Sequence, residues 1–349
     1  MLRRGLNSCG GQNSCDAAIK QAGEFIREGG LVVFPTETVY GLGADAFNPD
    51  AVSRVYSAKG RPGDNPLILH VDSAEKFPEL ALNPPEYAFA LLEAFWPGPL
   101  SVVVKKKPSL PRWLGGHPSG ATDTIGIRMP SHPTALAFIK EAGCVIAAPS
   151  ANKAGKPSPT TLAHVLEDFA EHNIVSLDGG NAALGLESTV VDITGERPRI
   201  LRPGFVTSEE IRAVTRLEPD GAENSPDTPR SPGMKYRHYA PQAKMTIISG
   251  SAKNVADYIS RECSGAARHR IGVLVGAETR KLLRETENME ILNSGENEKA
   301  IAANLFARLR YFDKLGVDLI FAEAVPDSGL GAAIMDRKIK AAEGVVIHV

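Results

Sequence analysis

Residues 218–233, EPDGAENSPDTPRSPG, carry four prolines and almost no apolar side chains. Proline removes a backbone donor, and the other residues here offer nothing to bury, so no core strand or helix can run through this stretch. The chain must then fold as two bodies joined by a linker, as its 349 residues also suggest. The expected boundaries are a first domain over 1–216, a linker with a candidate lid over 217–243, and a second domain over 244–349.

Ahead of the linker, helical and strand periods are mixed. Ile19, Ala22, Phe25 and Ile26 recur at helical spacing over 14–28, and Gly29-Gly30 stops them. Strands are expected at 31–34, 67–71, 100–105, 124–128, 144–148, 174–177, 188–193 and 199–202. Helices are expected around 52–59, 85–95, 132–142 and 160–171. Thr207-x-x-Glu210 is a capping box that opens one more helix. This mixture implies a single α/β layer structure. From 245 the order alternates strictly: strands at 245–248, 271–275, 289–292 and 317–322, and helices at 251–263, 277–284, 297–315 and 331–342. Such alternation indicates a small parallel-sheet, Rossmann-like α/β domain.

Composition narrows the function classes. A net charge of −2 disfavours a general nucleic-acid binder, which shows a basic excess. Cys9, Cys15, Cys144 and Cys263 have neither CxxC spacing nor the density of a disulfide framework, which fits a reducing cytoplasm. The start, MLRRGLNSCGG, has no apolar core of a signal peptide, and no run of about 18 apolar residues is present. A cytoplasmic protein is expected.

Polar clusters punctuate the first domain. PTETVYGLGADA (35–46) follows the buried-strand run Leu31-Val32-Val33-Phe34. Its Gly41-x-Gly43-x-x-Ala46 matches the dinucleotide fingerprint in letters, but Phe47-Asn48-Pro49-Asp50 follows where the fingerprint needs a helix. Lys59 and Arg61, flanked by Gly60 and Pro62 and followed by Asn65, suit either a helix dipole or a polyphosphate. Thr124, Gly126 and Arg128 share one face of an alternating strand. That face would receive a carboxylate or phosphate, or be plainly solvated. Ser150 and Asn152 stand at a strand's carboxyl end, where α/β proteins tend to bind ligands, and Gly155-Lys156-Pro157-Ser158 extends their loop. Glu187-Ser188-Thr189 precedes a strand, and Arg202 ends another.

GxxxxGK[ST], kinase motifs, HExxH and GxSxG are absent. Dispersed cations, hydroxyls and amides without a nucleophile suit a reaction run by positioning and charge, as in transfer at phosphorus.

PTETVYGLG, KGRP with NPL and His70, GIRMP, PSAN, ESTVVD and LRPG, in this order, resemble the YrdC-like family of L-threonylcarbamoyladenylate synthases over about residues 14–212. GMKYRHYAP and Gly329-Leu-Gly-Ala-Ala-Ile-Met-Asp-Arg resemble its long, two-domain form. The resemblance implies a twisted open mixed sheet with a large cavity, and a nucleotidyltransferase using L-threonine, bicarbonate and ATP with Mg²⁺ carried by the nucleotide. It places Thr38, His70, Arg128, Ser188 and the backbone of Ala148 at threonine. Lys59, Arg61, Asn65, Thr124, Ser150, Asn152, Ser158, Arg202 and His238 fall at ATP, with Lys59 and Arg61 as the catalytic cations. Tyr40-Gly-Leu-Gly becomes a glycine-rich turn closing over the ligand. The product would pass to the tRNA threonylcarbamoyl transferase machinery, with no membrane involved. Lys153-Ala154-Gly155 departs from the Ser-Gly that relatives often carry after PSAN.

Two other readings compete. A carbamoyl-transfer maturation protein would need CxxC zinc motifs, which are absent. An RNA-binding module would use Lys105-Lys106-Lys107, otherwise a solvated strand end. Residues 233–241, with Tyr236, His238 and Tyr239, are expected to form a lid that keeps water from a labile mixed anhydride.

Overall fold

The computed structural model describes residues 12–172, 174–221, 238–266 and 268–349. Cys9, most of the linker and residues 233–237 of the expected lid lie outside the described residues. The chain divides into two compact units, one of residues 1–154, 159–183 and 187–235, the other of 155–158, 184–186 and 236–349. Among the described residues no helix is long and apolar enough to cross a membrane.

The first unit opens with α1 (Gln12–Arg27), β1 (Val32–Phe34), β2 (Gly41–Asp45), α2 (Pro49–Lys59) and β3 (Ile68–His70). A 3-10 turn at Ala74–Lys76 leads into α3 (Phe77–Leu80), which the sequence reading missed, and then α4 (Glu86–Phe95). Next come β4 (Leu100–Lys105), β5 (Thr124–Arg128), α5 (Pro133–Ala142) and β6 (Ile146–Ala148). The unit closes with α6 (Leu162–Phe169), β7 (Val175–Ser176), β8 (Thr189–Asp192), β9 (Arg199–Arg202) and α7 (Ser208–Thr215). The capping box forms: Thr207 Oγ1 accepts from Glu210 N, and Thr207 N donates to Glu210. Asn48 caps α2 by accepting from Asp50 N and Ala51 N, with a left-handed Gly60 closing its other end.

The strands form one mixed nine-stranded sheet, ordered β7-β1-β2-β6-β3-β5-β4-β8-β9. Register sorts its side chains. Val33, Leu42, Leu69, Val102, Ile127, Ala147 and Val191 enter the main core with Val52, Val55, Leu91 and Leu92 from α2 and α4. On the other face α1 and α5 bury Val32, Phe34, Ile146 and Ala148 beneath Ile26 and Phe138.

Tyr40-Gly-Leu-Gly is not a turn. Gly41–Asp45 is strand β2, antiparallel to β1, with Phe34 opposite Gly41. A Cβ on Gly41 would lie 3.0 Å from the Phe34 ring, and one on Gly43 would lie 2.7 Å from Ile146 Cγ2. These glycines exist to admit neighbouring side chains on the sheet face. The Thr124–Arg128 face is likewise no solvated surface: Gly126 and Arg128 are buried. Nor is Lys106 a solvated end, since it is buried and its ammonium donates to Pro111 O and Arg112 O, both at 2.6 Å.

The second unit alternates as its sequence requires: β10 (Lys244–Ser249), α8 (Ala252–Gly265), β11 (Ile271–Val275), α9 (Ala277–Leu282), β12 (Met289–Asn293), α10 (Glu298–Leu315), β13 (Leu319–Glu323), α11 (Leu330–Ala341) and β14 (Val346–His348). All pairs are parallel, in the order β12-β11-β13-β10-β14. The short edge strand β14 gives too little pattern to be read from sequence.

Candidate active site

One row of register partners crosses six strands of the large sheet. Ile146 of β6 pairs with His70, His70 with Arg128, Arg128 with Ser101, Ser101 with Val190, and Val190 with Arg202. Residues paired across strands share a face, so His70, Arg128, Ser101 and Arg202 stand side by side on the face partly covered by α1 and α5.

Arg128 is the centre of this row and is 4 % exposed. Nη2 donates to Glu37 Oε1 at 2.6 Å, Nη1 to Thr38 Oγ1 at 2.9 Å, and Nε to Gly98 O at 3.3 Å. The other Glu37 oxygen accepts from Ser131 N at 3.1 Å. Thr38 is positioned by a hydroxyl turn just after β1. Thr36 Oγ1 donates to Val39 O at 2.6 Å, accepts from Thr38 N and Val39 N at 3.2 Å each, and lies 2.8 Å from Thr38 Oγ1.

His70 lies edge-on to Phe34, their ring centres 5.7 Å apart. Burial, and then the Arg128 guanidinium, push its pKa down to about 3, so the ring is neutral. Its Nδ1 lies 3.1 Å from Ile68 O. Beyond Arg128, Ser101 Oγ and Ser188 Oγ lie 2.8 Å apart. Arg202 clamps Ser188, donating to its carbonyl at 3.1 and 3.0 Å and to its hydroxyl at 3.2 Å. Arg202 thus sits at Ser188 and links a residue expected at ATP to one expected at threonine.

A second cluster surrounds the end of α2. Lys59 is 2 % exposed, and its ammonium donates to the carbonyls of Ser150 and Asn152. Ser150 Oγ donates to Asn152 Oδ1 at 2.5 Å. Their loop leaves β6 along β2, with Leu42 N on Pro149 O and Ala151 N on Tyr40 O. Arg61 folds onto the loop that follows it: Nη2 donates to Asn65 Oδ1 and Pro66 O, both at 2.7 Å, and Nε to Asn65 O at 3.0 Å. Tyr56 Oη fixes the same Asn65 carbonyl at 3.0 Å. Thr124 opens β5, half-buried and paired with Lys105. Ala148 ends β6 opposite Ile68.

The structure therefore joins Thr38, Arg128, His70, Ser188 and Arg202 through bonds or register, and joins Lys59 to Ser150 and Asn152. Ser158, fully buried, and half-buried His238 belong to the second unit. Sequence reasoning missed Glu37 and Ser101. Glu37 had one signal, a carboxylate between two threonines directly after a buried strand. Ser101 shares the parity of Val103 in a buried strand, which marks a polar group on the covered face.

Comparison with known proteins gives two family matches. Residues 24–204 match the family described as "Telomere recombination", and residues 206–343 match "Threonylcarbamoyl-AMP synthase, C-terminal domain". A threonylcarbamoyl-AMP synthase of Pyrococcus abyssi is 44% identical over 336 residues, covering 95% of this chain and 96% of that one. One from Bacillus subtilis is 43% identical over 335 residues, with 95% of each covered. The crystal structure of P. abyssi Sua5 complexed with L-threonine matches with a TM-score of 0.87 at 42% identity, covering 96% of each chain.

Proposed function

The chain belongs to the threonylcarbamoyl-AMP synthase family in its two-domain form, and on that premise we propose how its residues divide the work. It joins L-threonine, bicarbonate and ATP into threonylcarbamoyl-AMP and pyrophosphate. The observation that carries the assignment of roles is the buried row through His70, Arg128 and Ser101, bracketed by Thr38 and Ser188.

A guanidinium has five N–H donors. Three of Arg128's go to Glu37, Thr38 and Gly98, which leaves two to fork onto the threonine carboxylate. Thr38, Ser188 and the backbone of Ala148 complete the amino-acid pocket. His70, being neutral, brings no second cation against the substrate nitrogen. That nitrogen must shed a proton and form an N–C bond to bicarbonate carbon, with loss of water. The resulting carbamate oxygen then attacks the α-phosphorus of ATP. The new O–P bond forms as the bond to the β-phosphate oxygen breaks, and pyrophosphate leaves with the electron pair.

Lys59 and Arg61 are the cations set against charge at phosphorus. Asn65, Thr124, Ser150, Asn152, Ser158, Arg202 and His238 form the rest of the nucleotide side. Among the described residues no three His, Cys, Asp or Glu are grouped to hold a metal ion. As the resemblance implies, Mg²⁺ would be carried by triphosphate oxygens and water. The product passes to the machinery that transfers the threonylcarbamoyl group to tRNA.

The test is pyrophosphate release by the full chain, with the product identified by mass. Release should need threonine, bicarbonate and ATP together, and no RNA. L-Serine should be a poor substrate but not an inert one, since one methyl group is worth only about 1–3 kcal/mol. Release indifferent to threonine would overturn the reading, and release that needs RNA would favour an RNA-binding role.

A further inference from the structure

The end of α2 is tied down carbonyl by carbonyl. An α-helix leaves its last carbonyls without partners inside the helix. Here Tyr56 O accepts from Arg61 N at 2.9 Å and Ser57 O from Gly60 N at 3.2 Å, the ordinary work of a left-handed cap. The last two carbonyls are claimed by a distant loop. Lys59 O accepts from Ala154 N at 2.9 Å, and Ala58 O accepts from the Lys153 ammonium at 2.6 Å. The Lys59 ammonium returns to the carbonyls of Ser150 and Asn152 in that same loop. Residues 58–59 and 150–154 thus bind each other in both directions. A cation at a helix C-terminus is also favoured by the helix dipole.

Lys153 is itself held. Its ammonium lies 2.7 Å from His172 Nε2 and 5.1 Å from the centre of the Phe169 ring, and its backbone N–H donates to Asp168 Oδ2 at 3.3 Å. An ammonium has only protons to give. His172 Nε2 must therefore offer its lone pair, and the ring proton sits on Nδ1. We propose that Lys153, latched by neutral His172, is a positioning residue for Lys59. It locks the end of α2 to the 150–154 loop, so that Lys59, Ser150 and Asn152 meet the nucleotide phosphates as one preset group, and acid opens the latch. The proposal rests on the assignment of Lys59 and this loop to ATP.

The charges around His172 agree. Burial and the Lys153 ammonium lower its pKa, against a smaller opposing pull from Glu171. Asp168 is the other carboxylate at the latch, and it meets the backbone of Lys153. Protonation would set an imidazolium N–H against an ammonium across 2.7 Å. The bond would become a repulsion, and Ala58 O would lose its partner.

The experiment measures binding of a non-hydrolysable ATP analogue, and separately of L-threonine, to the full chain at pH 5.5 and pH 8. The proteins are the wild type, Lys153→Met, Lys153→Arg and His172→Gln. Lys153→Met keeps the stem and loses the donors, so analogue affinity should fall about tenfold, the scale of one charged hydrogen bond. Lys153→Arg should recover part of that loss, and threonine affinity should stay constant throughout. The wild type should lose more analogue affinity between pH 8 and pH 5.5 than His172→Gln, whose amide accepts the same bond but does not protonate. Titration of the phosphates is common to both proteins and cancels. Lys153→Met binding like the wild type, or His172→Gln keeping the full pH dependence, overturns the latch while wild-type pyrophosphate release still stands. Wild type that releases no pyrophosphate, or binds no analogue, overturns the parent assignment and the latch with it.

Discussion

Glu37 gives Arg128 a buried partner, and on the proposed assignment of Arg128 to threonine this pair decides what an incoming amino acid meets. The substrate carboxylate would there reach a guanidinium already paired with Glu37 and fixed by Thr38 and Gly98, so little ordering would remain to be done on binding. Removing one member of a buried pair leaves the other charge uncompensated, at about 3–5 kcal/mol. Glu37→Ala should lower urea stability on that scale and weaken threonine binding, with ATP-analogue affinity largely kept. Stability equal to the wild type would mean that the pair holds nothing. His70 makes a pH prediction. Its folded pKa, about 3, lies below its ordinary value of 6.5. Between those values the unfolded chain takes up a proton that the folded chain refuses, so stability falls as pH drops through that window. His70→Asn should flatten the fall in urea midpoint between pH 6.5 and pH 4, and equal slopes in the two proteins would contradict it. The legible residues at this scale were those with a chemical signature, such as Arg128 after Thr124 and Gly126. Glu37 had only its place between two threonines to mark it, because its partner comes 91 positions later.

At the scale of elements, most strands and helices could be read because period and capping chemistry agreed, as at Thr207 and α7. β2 could not. Glycine reads as a turn former, and only the register with β1 and β6 reveals that Gly41 and Gly43 make room for Phe34 and Ile146. Site and strand are coupled there, since the Phe34 ring also packs on His70. In Gly43→Ala the new Cβ would fall 2.7 Å from Ile146 Cγ2 and 3.0 Å from the Phe34 ring. Overpacking of this kind costs about 1–3 kcal/mol. The urea midpoint should drop with the m value unchanged, and threonine affinity should drop with it as Phe34 shifts against His70. Gly60→Ala is the control: its φ of 62° resists any side chain, but nothing lies within 4 Å of the added Cβ. It should cost stability without touching threonine. A Gly43→Ala protein with wild-type midpoint and affinity would show that the sheet face has room to spare.

For the whole molecule, the division at the linker was written in composition, yet the units do not part cleanly there. Segments 155–158 and 184–186 belong to the second unit. Arg310 donates to Pro157 O at 3.1 and 2.7 Å, and a Cβ on Gly185 would meet Ala303 Cα at 2.4 Å. Nothing in Gly-Lys-Pro-Ser or Leu-Gly-Leu marks that allegiance, because it depends on residues more than a hundred positions downstream. A chain ended after residue 216 keeps the main core and the face packed under α1 and α5. It also keeps the row from His70 to Arg202, so it should fold cooperatively and bind threonine. It loses Arg310 and Ala303, which hold the two segments, and with them the anchor of Ser158, which we propose for the nucleotide. We expect ATP-analogue affinity to fall while threonine affinity persists, and protease to cut at 155–158 and 184–186 in the shortened chain but not in the full one. Equal loss of both ligands would mean that threonine binding also depends on residues beyond 216. Unchanged ATP affinity with both segments still protected would mean that the first unit organises its nucleotide side alone.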